Sequence, residues 1–129
     1  MIGVCLAAAG LLISLPLPSF SLVWTHSTEK ILWEEDYQLV SGVNGRRLQL
    51  SMARIRGSGA GMEAPANAVF VEGVWHYKPA LAPLERLHLM HSSFVGDYSL
   101  CWNGKCYLLG ELLGPTATNA SVEIYPCPE

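Results

Sequence analysis

A chain of 129 residues with a formal net charge of −3 and a sequence pI near 5.8 leaves little room for two classes of protein. It has the length of one domain rather than a multi-domain enzyme, and it carries no basic run and no motif that reads RNA or DNA. Every charged side chain lies beyond Thr28, so the chain divides into an uncharged apolar start and a mildly acidic remainder.

The start, "MIGVCLAAAGLLISLPLPSFS", has the size and apolarity of a signal h-region. Pro16 and Pro18 end any helix there, and Ser19-Phe20-Ser21 offers small residues for cleavage after Ser21. Residues 1–21 are therefore expected to be a signal peptide or an N-terminal anchor, with Cys5 one more member of the apolar run. Residues 22–129 are expected to form a single domain.

From Leu22 onward the chain alternates like β structure. "LVWTHST" puts Leu22, Trp24 and His26 on one face. "LWEEDYQLV" puts Trp33, Glu35, Tyr37 and Leu39 on one face and Glu34, Asp36 and Gln38 on the other. "RLQLSMARIR" groups Leu48, Leu50, Met52, Arg54 and Arg56. "GSGAGMEAPANA", residues 57–68, is a long glycine-rich loop, and "VFVEGVWHY" is two short strands about Glu72-Gly73. "RLHLMHS", "DYSLCW", "KCYLLGELL" and "ASVEIY" supply the remaining strands, and no segment has a convincing helical period. The expected fold is all-β: a small antiparallel β-sandwich or partly open barrel built from hairpins, after the signal-like segment.

Two hairpins carry the most information. In "LCWNGKC" the Asn103-Gly104 pair suits a type I′ turn, which sets Cys101 opposite Cys106. Non-hydrogen-bonded pairs hold their Cα atoms at ~4.5 Å, within reach of a disulfide. Zinc needs about four ligands, and no second Cys or His pair has matching spacing. A disulfide between Cys101 and Cys106 is the expectation, with Cys127 unpaired, and a disulfide points to an oxidising compartment. In the second hairpin, an Asn44-Gly45 turn would set Leu39 against Leu50, Tyr37 against Met52, Glu35 against Arg54 and Trp33 against Arg56. That register ends the apolar face in one acid and two bases: a cross-strand ion pair, or the floor of a polar pocket.

"WTHSTEK" (residues 24–30), the pair Glu34-Glu35, "GSGAGM" (57–62) and "LCWNGKC" occur in that order. Together they resemble the bacterial family called domain of unknown function 1850, over most of the chain beyond the apolar start. The resemblance implies a small extracytoplasmic protein, periplasmic or secreted, tethered if its leader stays uncleaved. Genes of the family often stand beside tripartite ATP-independent periplasmic transporters of the TAXI type, which implies an accessory role in solute uptake and a membrane or substrate-binding subunit as partner. The family supplies no activity and no residue roles.

Candidate binding residues are His26, Ser27, Glu29 and Lys30 from the first motif, Glu35, Arg54 and Arg56 from the hairpin, and Gly59 and Gly61 from the loop, whose amides could form an anion nest. The loop lacks the Lys-Ser/Thr of a nucleotide-binding P-loop, and no cofactor or metal is expected. His26-Ser27 and His91-Ser92 are neighbours and point to opposite faces of a strand, so neither is a nucleophile–base pair. The expected function is non-catalytic binding in support of a TAXI-type transporter. The alternative is binding of a small organic anion through Arg54, Arg56 and the loop; a small hydrolase is the third reading.

Overall fold

The computed structural model of the protein describes residues 3–25, 32–56, 67–90, 98–114 and 121–128. Two antiparallel sheets face each other as a sandwich and are not closed into a barrel. In chain order the elements are β1 (Val4–Ala8), β2 (Leu11–Leu15), β3 (Ser19–Thr25), β4 (Leu32–Gly42), β5 (Gly45–Arg56), β6 (Val69–Val71), β7 (Val74–Tyr77), β8 (Leu87–Met90), β9 (Ser99–Trp102), β10 (Lys105–Leu108), α1 (Leu109–Leu113) and β11 (Ser121–Pro126). The larger sheet has the order β10-β9-β3-β4-β5-β7-β6, and the smaller has the order β2-β1-β11-β8.

The core lies between the sheets. Val4, Leu6, Leu22, Leu48, Leu100, Leu109, Val122 and Ile124 are fully buried there. Each such side chain contributes roughly 1.5–3 kcal/mol relative to exposure. Phe20 stacks on Tyr37 at 5.5 Å and joins the same cluster. α1 replaces the end of the strand expected over "KCYLLGELL": Leu109 and Leu113, four apart, are both buried, and the carboxylate of Glu111 accepts the Leu108 backbone N–H.

β3 runs continuously across residues 21 and 22, where the expected boundary lies. The apolar start forms β1 and β2, whose strands pair from Val4↔Leu15 to Ala8↔Leu11. β1 pairs β11 on its other side. Cys5 is not a mere member of an apolar run, and Cys127 is not unpaired: the two form a disulfide across 122 residues of sequence. Val4 and Cys5 stand opposite Pro126 and Tyr125, which carries the β1 thiol close to Cys127. No helix among the described residues is long and apolar enough to cross a membrane.

The expected Cys101–Cys106 disulfide is present, on the register Cys106↔Cys101 and Lys105↔Trp102. Asn103 and Gly104 both have positive φ, 51° and 78°, as a type I′ turn requires. Glu72 and Gly73 do the same between β6 and β7, at 49° and 80°.

The Asn44-Gly45 hairpin differs from expectation. Its closing pair is Gly42↔Gly45, so Val43 and Asn44 occupy the turn and only Gly45 takes a positive φ. A Cβ on Gly42 would stand 2.6 Å from the Gly45 carbonyl oxygen, which explains the glycine at the tight end. Leu39 therefore faces Leu48 and Tyr37 faces Leu50. The register then shifts between Asp36 and Tyr37: Asp36 faces Met52, and Ser51 is the extra residue of a β-bulge. Beyond it Glu34, not Glu35, faces Arg54, and Trp33 faces Ile55 rather than Arg56.

The two disulfides should differ in their effect on stability. Chain-entropy estimates give about 5 kcal/mol for a bridge closing a loop of this protein's length and about 2 kcal/mol for one closing a hairpin. Removing Cys5–Cys127 by paired alanine substitutions should therefore cost more in urea unfolding than removing Cys101–Cys106. Non-reducing peptide mapping should recover Cys5 linked to Cys127; an alkylatable Cys127 in folded protein, or equal losses from the two removals, contradicts the assignment.

Candidate functional site: two faces of the β4–β5 hairpin

The bulge sorts the charged residues of the hairpin. On the core-facing side of β5, Leu48 and Leu50 are buried before it and Ala53 and Ile55 after it. Without the extra residue, Met52, Arg54 and Arg56 would follow Leu50 onto that side. With it, Arg54 and Arg56 emerge on the outer face, where β4 presents Glu34 and Asp36.

There the four residues form one network. The Arg54 guanidinium donates from Nε to Glu34 Oε2 at 2.8 Å, and from Nη1 and Nη2 to Asp36 Oδ2 and Oδ1, both at 2.7 Å. The second pair is the planar two-pronged geometry that makes arginine–carboxylate contacts strong. Arg56 donates from Nε to Glu34 Oε1 at 2.9 Å. Ser21, directly opposite Asp36 on β3, donates its hydroxyl to Asp36 Oδ1 at 2.6 Å, and the bulged Ser51 donates to the Asp36 backbone oxygen at 3.1 Å.

The electrostatics follow the contacts. The Arg54 bonds hold the Asp36 carboxyl below its ordinary range against partial desolvation, and the Ser21 bond adds to them. For Glu34, desolvation pushes upward, but the bonds from Arg56 and Arg54 outweigh it and the net direction is downward. The bonds to Asp36, then to Glu34, raise Arg54 despite its partial burial. Two acids and two bases balance, so the network is locally neutral. Beside it lies a groove of about 580 Å³ lined by Ser19, Ser21, Asp36, Gln38, Ser51 and the Cys101–Cys106 hairpin.

Glu35 is on the other side of the sheet. It faces Leu22 on β3 and Ala53 on β5, both buried. Its Oε1 accepts the Tyr37 hydroxyl at 2.9 Å. Desolvation raises its pKa, and the Tyr37 bond offsets only part of that. The sign is opposite to that of Asp36. The cost of charging Glu35 is absent below the carboxyl pKa of the unfolded chain and complete above the raised folded one, so ionised Glu35 weakens the fold at neutral pH. Burial, and then the charge of Glu35, raises both Tyr77 and Tyr98.

The hairpin thus separates what the sequence reading placed together: Arg54 and Arg56 share a site with Glu34 and Asp36, and Glu35 does not belong to it. Glu34, Asp36 and Ser21 were not among the candidates. Alternation along β4 already put Glu34 and Asp36 on one face; only the bulge brings the arginines to it. His26, Ser27, Glu29, Lys30, Gly59 and Gly61 lie outside the described residues. Among the described residues no group of three or more His, Cys, Asp or Glu side chains could hold a metal ion.

The family model for a domain of unknown function, DUF1850, matches residues 20–109. The chain belongs to this family. The DUF1850 match takes in every strand of the larger sheet and β8, and it leaves β1, β2 and β11 outside. No curated protein and no solved structure matches the chain.

Substituting Arg54→Gln should lower the unfolding free energy by roughly 2–3 kcal/mol at pH 7, because it leaves two partly buried carboxylates short of partners. Both carboxyls are held low, so their contribution is present above the unfolded carboxyl pKa and lost as pH falls through the folded one. The difference between wild type and variant in urea unfolding should narrow below about pH 4. A difference that grows in acid contradicts the network's role.

Proposed function

We propose that the protein is a non-catalytic, extracytoplasmic accessory protein that docks on a protein partner, with a membrane or substrate-binding subunit of a TAXI-type transporter as that partner. The observation that carries the docking reading is the β6 edge of the larger sheet. Among the described residues β6 pairs only with β7, and Val69, Phe70 and Val71 are 59%, 50% and 49% exposed. Three consecutive exposed apolar residues on an edge strand are what natural sheets normally avoid with lysine, proline or a cover. Such an edge offers backbone donors and acceptors together with apolar area, the means by which an added strand binds.

Two disulfides suit an oxidising compartment and support the extracytoplasmic reading. The TAXI association rests on the family resemblance. The organic-anion alternative gains nothing from the arginines: an anion would compete with Glu34 and Asp36 for the guanidinium donors of Arg54 and Arg56.

The double substitution Val69→Lys with Val71→Lys places charge on the edge without touching the core. It should keep the wild-type circular dichroism and melting temperature, and abolish co-purification with co-expressed transporter subunits. Undiminished co-purification of the folded variant, or none with wild type, contradicts the proposal.

A further inference from the structure

The two disulfides meet solvent differently. Cys5 and Cys127 are 3% and 7% exposed, so their bridge is closed to reagents while the protein is folded. Cys106 is exposed and Cys101 is half-buried. Cys106 stands on β10, which among the described residues pairs only with β9 and ends the larger sheet. Both cysteines line the groove of about 580 Å³ on the outer face, so the Cys101–Cys106 bridge lies at the surface.

The fold around this bridge does not depend on it. The bridge joins residues five apart in sequence, whereas Cys5–Cys127 spans 122. Asn103 and Gly104 set the turn with their positive φ, and residue pairs from Lys105↔Trp102 to Leu108↔Ser99 hold the register. β9 is anchored separately, through its pairing with β3 and through Leu100, which is fully buried. None of these contacts needs the sulfur–sulfur bond.

The sheet order gives the direction of attack. A thiolate displaces one sulfur from the other along the line of the S–S bond. Across the ladder the order is Cys106, Cys101, Ser21 and Asp36. Approach to Cys101 along that line crosses β3, where Ser21 stands directly opposite and its hydroxyl bonds the Asp36 carboxylate. Approach to Cys106 comes from beyond the edge of the sheet.

We propose that Cys101–Cys106 is a thiol-exchange site, at which Cys106 captures a low-molecular-weight thiol and Cys101 is the leaving and resolving sulfur. The external thiolate attacks Cys106 Sγ. A new S–S bond forms there, the Cys101–Cys106 bond breaks, and Cys101 leaves as a thiolate that takes a proton from water. Attack by the Cys101 thiolate on Cys106 Sγ reverses the step and expels the external thiol. Attack by a second external thiolate on the outer sulfur completes reduction: Cys101 and Cys106 end as thiols, and the two external thiols end as one disulfide. Exposed disulfides undergo such exchange, whereas buried ones resist it. The site requires no docking at β6.

The test treats the oxidised full chain with reduced glutathione, quenches timed samples with an alkylating agent and maps the peptides. Glutathione should appear on Cys106 while Cys101 becomes alkylated. Cys5–Cys127 should open at least ~10-fold more slowly. Far-UV circular dichroism should keep its β signal while Cys101–Cys106 opens. A bridge that stays closed in folded protein, glutathione on Cys101 and not Cys106, equal opening rates for the two bridges, or loss of the β signal on opening overturns the proposal.

Discussion

One extra residue in β5 determines the chemistry of both faces of this protein. Ser51 has no counterpart on β4, and from that point the two strands pair one residue out of step with the turn end of the hairpin. The physical pressure for the shift is clear from what each register would bury. A regular ladder would drive Arg54 and Arg56 toward the core behind Leu48 and Leu50. The bulge instead sends Ala53 and Ile55 inward and releases both arginines to the acids outside. A bulge costs a ladder hydrogen bond and local regularity. Keeping two guanidinium groups out of an apolar interior outweighs that, because an unpaired buried charge costs several kcal/mol.

The same constraint leaves Glu35 in an environment made for apolar side chains. β4 keeps its alternation through this stretch, so Glu35 stands between Trp33 and Tyr37 on one side of the strand. Its neighbours across the ladder, Leu22 and Ala53, cannot pair with it. The fold therefore tolerates an inward carboxylate that, among the described residues, has one tyrosine hydroxyl bonded to it, at a cost that grows with pH. The outer network does the opposite and stabilises the fold when its acids are ionised. Two adjacent glutamates, Glu34 and Glu35, thus contribute with opposite sign because they point to opposite faces of one strand.

Much of this was legible in the sequence. The alternation "LWEEDYQLV" assigned Trp33 through Leu39 to their faces, and Asn103-Gly104 gave both the turn and the disulfide register. The Asn44-Gly45 hairpin misled because the dipeptide signal does not say which two residues form the turn; here glycine takes the position after it. The bulge was invisible because "LQLSMARIR" reads as plain alternation unless the inward arginines are themselves treated as evidence for a phase change. The hydrophobicity of the apolar start suits export and core packing equally well. Its disulfide to Cys127 and its pairing with β11 are both non-local, so local sequence does not disclose them. Family membership covers the larger sheet and β8, while three of the four strands opposite it come from the chain's two ends.

The register of β4 against β5 sets the chemistry of both faces, and cross-strand proton contacts measured by NMR on labelled protein read it without perturbing the fold. The structure requires contacts pairing Tyr37 with Leu50, Asp36 with Met52 and Glu34 with Arg54, with Ser51 skipped. An unbroken series pairing Tyr37 with Met52 and Glu35 with Arg54 would contradict it, and would return the arginines to the face of Glu35.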